Sequence, residues 1–559
     1  MQSRIFALAG LLLCLSWLIP DHYPMWMVFY NEFAAALALI VLTLGVLFRG
    51  DSRVGLPIML VGVLALVPLA QWSAGKMLFA GDAYMASIYI GAFALAITVG
   101  LNYGRGDREA FSRFLAITLL AGALISLAIG FLQWIGIEGG IWMMPYDSFS
   151  SATGARPFAN LGQPNQFANL LAFGIVSLIY LWQTGSIERR VALIVGVALI
   201  FGLVMAASKA TWLVICGCVV LWWVARRNGV TRLPAKVLVT GVVLYVGLTL
   251  SWSWINEALG YIAIPLGVRQ QSAGSRLFMW QQLLDASSLR PLAGWGWNEV
   301  SVAQYQVVPN YLTHVTEFTE HSHNLFIDLI IWNGWPIGAF LGLLVIAWCG
   351  IRLFKMRDGG DWFALAIVAV GLCHALVEFP LDYMFFLVPL GLAIGLAESR
   401  SVAYLVAVPR WVVGSLTCLA VVLTGWIWHD YRVIEEDFRL VRFELSNIKT
   451  QPRAEREPSK LLTHLESAIQ VLSWPLNDVK SLDQLDLFAK VAQRYPNFGI
   501  LYRHAIVLGL NGRESEAELE MLRLKLYAGP KTYARYHEAL AAYAAERPEL
   551  RGLLERAPR

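Results

Sequence analysis

Apolar residues along the chain gather into thirteen long runs, at approximately 5–19, 26–48, 54–72, 84–103, 111–135, 160–182, 191–206, 210–225, 237–255, 324–351, 362–379, 383–397 and 411–428. A helix needs roughly 17 to 25 apolar residues to cross about 30 Å of hydrocarbon, so the runs predict about 13 transmembrane helices. The stretch 191–225 is too long for one helix and divides at Ser208-Lys209 into two short ones. After Trp428 the pattern changes: residues 429–559 hold 20 of the 43 Lys and Arg and no spanning run. There Leu461, Leu465, Ala468 and Ile469, and then Tyr502, Ala505 and Leu508, recur at helical spacing, punctuated by Pro475, Pro496, Pro530 and Pro548. This pattern predicts helical hairpins resembling one or two tetratricopeptide units. The expected fold class is an all-α polytopic membrane protein, with a transmembrane domain at 1–428 and a soluble helical domain at 429–559.

Composition agrees with that class, since 57% hydrophobic and 15% charged residues are too apolar a mixture for a soluble globular protein. The net charge of +4 is small, and the basic residues of 1–428 lie mostly between apolar runs. They read as topology signals, and no nucleic-acid partner is implied. The six cysteines sit inside apolar runs as small hydrophobes. Arg4 precedes the first run, which has no small-residue cleavage site before Pro20 and reads as the first spanning helix.

With a cytoplasmic N-terminus, seventeen Lys and Arg fall in inside segments, and outside segments before the tail hold only Lys76, Arg156, Lys209, Arg269, Arg276 and Arg290. That bias sets the orientation, with the tail outside. Treating 191–225 as one span would invert everything after it. A cation that defies the bias has a ligand or a carboxylate to meet, and four of the six lie beside motif-like sequence. The two outer loops of substance are about 136–159 and 256–322, and a loop of the second size in a compact membrane protein is usually functional.

Three polar constellations mark the outer face. Arg156-Pro157-Phe158-Ala159-Asn160-Leu161-Gly162-Gln163-Pro164-Asn165 packs amides and an arginine at a helix start, whose free N–H groups favour anions; the bland alternative is a polar cap. Glu320-His321-Ser322-His323-Asn324 puts two imidazoles and a carboxylate at a membrane boundary, where ionisable groups are costly. Imidazole is the usual general base near neutral pH, and Glu320 could fix its tautomer or raise its basicity. The rings of His321 and His323 diverge on a strand and on a helix, so one faces substrate; His323, at the helix start, is the first choice. Zinc is disfavoured, because His-x-His has no third ligand at metal spacing beyond His314 and His374. Glu378-Phe379-Pro380-Leu381-Asp382-Tyr383 lies between two spans; Glu378 there needs a cavity or a cation, and Tyr383 donates to a substrate oxygen or belongs to the aromatic belt. Lys209 either snorkels to headgroups or holds a lipid phosphate. With no Walker A loop or dinucleotide fingerprint, the energy for any reaction must reside in the substrate, and a lipid-linked pyrophosphate sugar meets that need.

These residues, with Gly274-Ser275-Arg276 and Pro291-Leu292-Ala293-Gly294-Trp295-Gly296, resemble the O-antigen ligase and Wzy polymerase superfamily. Within it, Gly162-Gln163-Pro164-Asn165 and Glu378 to Tyr383 are similar to the bacterial protein O-oligosaccharyltransferases, the pilin glycosylases of PglL type. The resemblance implies a GT-C-like glycosyltransferase of the bacterial inner membrane, with its active site and tail in the periplasm. It would move a glycan en bloc from undecaprenyl pyrophosphate to a Ser or Thr hydroxyl of a protein such as pilin, without cofactor or metal. The family's loop histidine falls on His323 or His321, its glutamine on Gln163 and its tyrosine on Tyr383. Arg156, Asn160, Asn165, Lys209, Arg269, Arg276, Glu320 and Glu378 are the candidates to bind the pyrophosphate and glycan. Many superfamily members have arginine where this chain has Lys209, so a bidentate contact is lost there. Single displacement implies inversion at the anomeric carbon, since no carboxylate nucleophile stands in the motifs. An O-antigen ligase acting on lipid A core, a glycan polymerase and a transporter are the rival readings.

Overall fold

The computed structural model describes residues 1–20, 25–50, 52–137, 156–261, 266–400, 405–446, 448, 457–476 and 480–558; the side chains of 266–274 fall outside the description. The first half holds α1 (Gln2–Leu18), α2 (Phe29–Leu47), α3 (Leu56–Leu64), α4 (Val67–Ser73), α5 (Ala80–Gly106), α6 (Arg108–Trp134), α7 (Pro164–Gln183), α8 (Arg189–Ala206), α9 (Ala210–Arg227), α10 (Ala235–Leu250) and α11 (Trp252–Ala258). The second holds α12 (Leu266–Leu289), α13 (Val300–Val307), α14 (Leu325–Phe354), α15 (Gly359–Ala375), α16 (Met384–Glu398), α17 (Arg410–Leu445), α18 (Thr463–Ser473), α19 (Leu482–Arg494), α20 (Phe498–Leu510), α21 (Glu514–Glu546) and α22 (Arg551–Arg556). Most of the described residues are helical. One small ribbon, β1 (Ser52–Val54) antiparallel to β2 (Val406–Val408), departs from the all-α expectation.

Nine helical stretches among the described residues, with α3 and α4 counted together as one, are long and apolar enough to cross a membrane, or ten if α10 and α11, bent by 54°, form one span. Large apolar side chains stand exposed along them, Ile194 at 71% and Leu343 at 65%, as hydrocarbon requires and water would penalise. The division expected at Ser208-Lys209 is present: α8 ends in Ala207, whose left-handed φ of 46° stops it, and α9 starts at Ala210. Asp107 caps α6 by accepting from Ala110 N at 3.0 Å, and Asp358 caps α15 by accepting from Asp361 N at 2.8 Å. The apolar run that ends at Trp428 does not end its helix, because α17, 36 residues long, continues to Leu445.

The chain divides into two compact units. The first comprises 1–65, 88–269 and 344–425. Its core includes Trp17, Phe111, Phe167, Phe363 and Phe385. Two glycines let α5 and α16 approach backbone to backbone: a Cβ on Gly100 would lie 2.1 Å from Leu392 O, and one on Gly395 2.1 Å from Ile97 O.

The second unit comprises 66–87, 270–343 and 426–559. Tyr305 and Val308 join Leu501, Ile506, Met521, Leu524 and Leu550 in its core, so residues near 300–310 pack with the tail helices. Within this unit α14 breaks at Gly334, whose φ of 78° and ψ of 169° precede Pro336. The run 291–297 fills the break. Trp295 N donates to Ile331 O at 2.7 Å, Gly296 N to Trp332 O at 3.2 Å, and Trp335 N to Pro291 O at 2.8 Å. Backbone groups orphaned by the break are thereby satisfied. Trp297 stacks on Trp332 with ring centroids 4.4 Å apart, and its Nε1 donates to Asn333 Oδ1 at 3.1 Å. The Gly-Trp run is therefore a backbone clasp in which Trp295 and Trp297 are buried.

Candidate active site

The histidine loop belongs to the second unit and is held at nearly every backbone position. Asn324 Oδ1 accepts from Phe326 N at 3.0 Å and caps α14. Ser322 N donates to Asp328 Oδ1 at 2.9 Å, and Ser322 Oγ donates to Asn324 O at 2.8 Å. Thr319 Oγ1 donates to His321 O, while Thr319 N reaches Gln304 Oε1 at 3.2 Å. From α12, Trp280 Nε1 donates to Ser322 O at 2.7 Å. Arg276 lies one turn before Trp280, on the same face of α12. The side chain of Arg269, earlier on α12, falls outside the described residues.

The two histidines differ. His323 is half-buried and takes a left-handed φ of 55°, which non-glycine residues adopt at a cost and which clusters at functional sites. Burial holds the His321 imidazole below its ordinary value, against the opposing pull of Asp328 and Glu320, so it rests neutral. Glu320, expected to orient an imidazole, has another partner: its Oε1 meets Arg494 Nη1 from the tail at 3.3 Å.

In the first unit, two bonds join the remaining motifs. Asn165 Nδ2 donates to Glu378 Oε1 at 2.6 Å, tying the Gly-Gln-Pro-Asn segment to the Glu-Phe-Pro segment. Arg156 Nη1 donates to Ala207 O at 3.2 Å and so lies against the turn that ends in exposed Lys209. Two cations thus stand near the amino end of α9, a setting that favours an anion. Gln163, half-buried, occupies the position before α7, whose first residue Pro164 needs no N–H partner. Asn160 is buried, and its Nδ2 donates to Leu18 O at 2.6 Å, closing the end of α1. Tyr383 stands at the start of α16 and stacks on Phe385 at 5.2 Å.

Sequence reasoning missed the residue that shapes the first of these turns. Gln133, fully buried at the end of α6, accepts from Phe158 N at 3.1 Å and Ala159 N at 2.8 Å and donates to Ala159 O at 2.8 Å. It fixes Ala159 in a left-handed φ of 54°. The available signal was one amide at the end of an otherwise apolar run. Asp328, surrounded by apolar neighbours, was missed likewise, and so was the role of Trp280, which lies in a stretch without polar motif.

Three family models match successive parts of the chain. A protein glycosylation ligase model matches 157–182, an O-antigen ligase model 194–342, and the C-terminal model of a virulence factor membrane-bound polymerase 362–546. The chain is 27% identical over 545 residues to a general O-oligosaccharyltransferase of Acinetobacter baylyi, covering 94% of this chain and 92% of that protein. It is 26% identical over 499 residues to a ComP-specific O-oligosaccharyltransferase of the same organism, covering 88% of each.

Proposed function

We propose that this chain, a relative of the protein O-oligosaccharyltransferases within the O-antigen ligase superfamily, transfers a glycan en bloc from a lipid-linked donor to a hydroxyl of an acceptor protein. The observation that carries the reading is the extent of the likeness, which spans 94% of the chain and takes in all three polar motifs and the tail.

In finer detail, the donor is an undecaprenyl pyrophosphate glycan and the acceptor a Ser or Thr of a pilin. The chemistry takes place on the periplasmic side of the bacterial inner membrane. Thirteen spans of GT-C-like arrangement result if α1, α15 and α16, apolar helices of 15 to 17 residues, cross together with the ten longer candidates, and the tail then forms tetratricopeptide-like hairpins in the periplasm. The acceptor hydroxyl gives its proton to His323, and its oxygen attacks the anomeric carbon. The bond from that carbon to the pyrophosphate oxygen breaks, and the configuration inverts. Arg156, Lys209, Arg276 and Arg269 neutralise the departing pyrophosphate, the point at which positioned cations act most. Gln163 and Tyr383 direct polar groups at the sugar, and Asn165 and Glu378 hold the segment that carries them.

Co-expression with a candidate pilin and a lipid-linked glycan pathway tests the assignment through the intact mass of the pilin. The expected result is a pilin heavier by one whole glycan. Unmodified pilin together with glycan on lipid A core would reassign the acceptor and favour the ligase reading, for which the O-antigen ligase match over 194–342 speaks.

A further inference from the structure

Arg494, the last residue of α19, lies far from the motifs in sequence and has no role in the chemistry above. Its side chain is only 9% exposed. One edge of the guanidinium meets Asp82, with Nε at 3.2 and 3.3 Å from the two carboxylate oxygens and Nη2 at 3.0 Å from Oδ1. The remaining nitrogen, Nη1, reaches Glu320 Oε1 at 3.3 Å. The main chain is fixed as well, since Arg494 O accepts from Ser301 Oγ at 2.9 Å. A second attachment runs alongside: Thr463 Oγ1 of the tail accepts from Gly81 N at 2.8 Å.

The surrounding charges make this guanidinium hard to replace. Asp82 is 1% exposed and would be a costly lone charge without it. Glu299, also buried, is pushed up to about 8 by burial and by Asp82, and so carries a proton at neutral pH. Arg494 therefore serves two carboxylates, and the second, Glu320, directly precedes His321. Only a planar fork can grip Asp82 with one edge and leave a nitrogen for Glu320; an ammonium cannot hold both geometries.

We propose that Arg494 is a positioning residue of the histidine loop, through which the tail fixes Glu320 and with it the orientation and charge environment of His321. The proposal rests on the transferase reading for its kinetic consequence, but its structural consequence can be tested without turnover. The groups facing His321 are Asp328 and Glu320, which favour its charged form, and His323 and Arg494, which oppose it. Removing Arg494 takes away one opposing cation and frees the Glu320 carboxylate.

The full chain, purified in detergent with isotope-labelled histidine, reports the titration of His321 by NMR, assigned with a His321→Gln variant. Arg494→Gln is expected to raise the midpoint by on the order of one pH unit. Adding Glu320→Gln should return it, and Arg494→Lys should leave it near the parent value. In transfer assays with lipid-linked donor, Arg494→Gln is expected to lower kcat by tenfold or more with little change in the donor KM. Arg494→Lys should keep the parent pH profile while regaining only part of kcat. Should Arg494→Gln fail to fold, Glu320→Gln alone is expected to lower the His321 midpoint. A midpoint that stays fixed in both single variants overturns the proposal, whether or not the parent transfers glycan. A parent that transfers nothing overturns the functional reading and leaves the NMR result to decide this one.

Discussion

Gln133 serves three backbone groups in a turn that no helix or strand covers. Gln133→Leu would strand Phe158 N, Ala159 N and Ala159 O in a buried place, at about 1–3 kcal/mol for each group left unsatisfied. A clearly lowered melting temperature in detergent is expected, with loss of transfer as Arg156 leaves its turn. Arg276→Ala should reduce turnover with lipid-linked donor more than weakened donor retention alone explains; unchanged turnover would remove it from the pyrophosphate contact. Burial also lowers the His464 imidazole, as it does that of His321, so both histidines favour the neutral form when folded. Their contribution is complete above the unfolded value near 6.5 and is lost as pH falls from there toward the folded values. Melting temperature should therefore drop on the acid side of about 6.5, and His464→Gln should flatten that slope. Residues at the membrane boundary were legible because a charge is costly there unless it meets a partner or a substrate. Gln133 and Asp328 were not, because hydropathy averages one polar side chain into its apolar neighbours.

Among the elements, α14 is the least like its sequence. The run 324–351 reads as one span, yet it consists of two helical pieces on either side of Gly334. Pro336 was a visible sign, since proline removes a backbone donor inside a helix. The filling of the break by 291–297 was not visible, because it is made by backbone groups about forty residues away. A Cβ on Gly334 would lie 2.6 Å from the Leu292 carbonyl, in a backbone region that is essentially glycine's alone. Gly334→Ala is thus expected to cost about 1–3 kcal/mol in thermal or denaturant unfolding. Leu292→Ala, at a position 75% exposed, should stay within about 0.5 kcal/mol of the parent. The split at Ser208-Lys209, by contrast, was legible, because the positive-inside bias forbids an undivided span.

On the scale of the whole molecule, the thirteen apolar runs each coincide with helix, and the fold class follows from hydropathy and charge. Orientation is tested by reporter fusions: those placed at about 189–190 and 232–236 should report cytoplasm, and one in the tail beyond 446 should report periplasm. The grouping of the tail with residues 270–343 could not be read from composition, which marks where a segment becomes polar but not what its buried face meets. Arg494 and Asp82 are 412 residues apart, and most of the apolar helices, α6 to α11 and α14 to α17, are synthesised between them. The grip on Glu320 can close only after residue 494 has left the ribosome. A nascent chain whose apolar helices are already made therefore still has an unfastened histidine loop, and the loop is fastened only at the end of its own biogenesis.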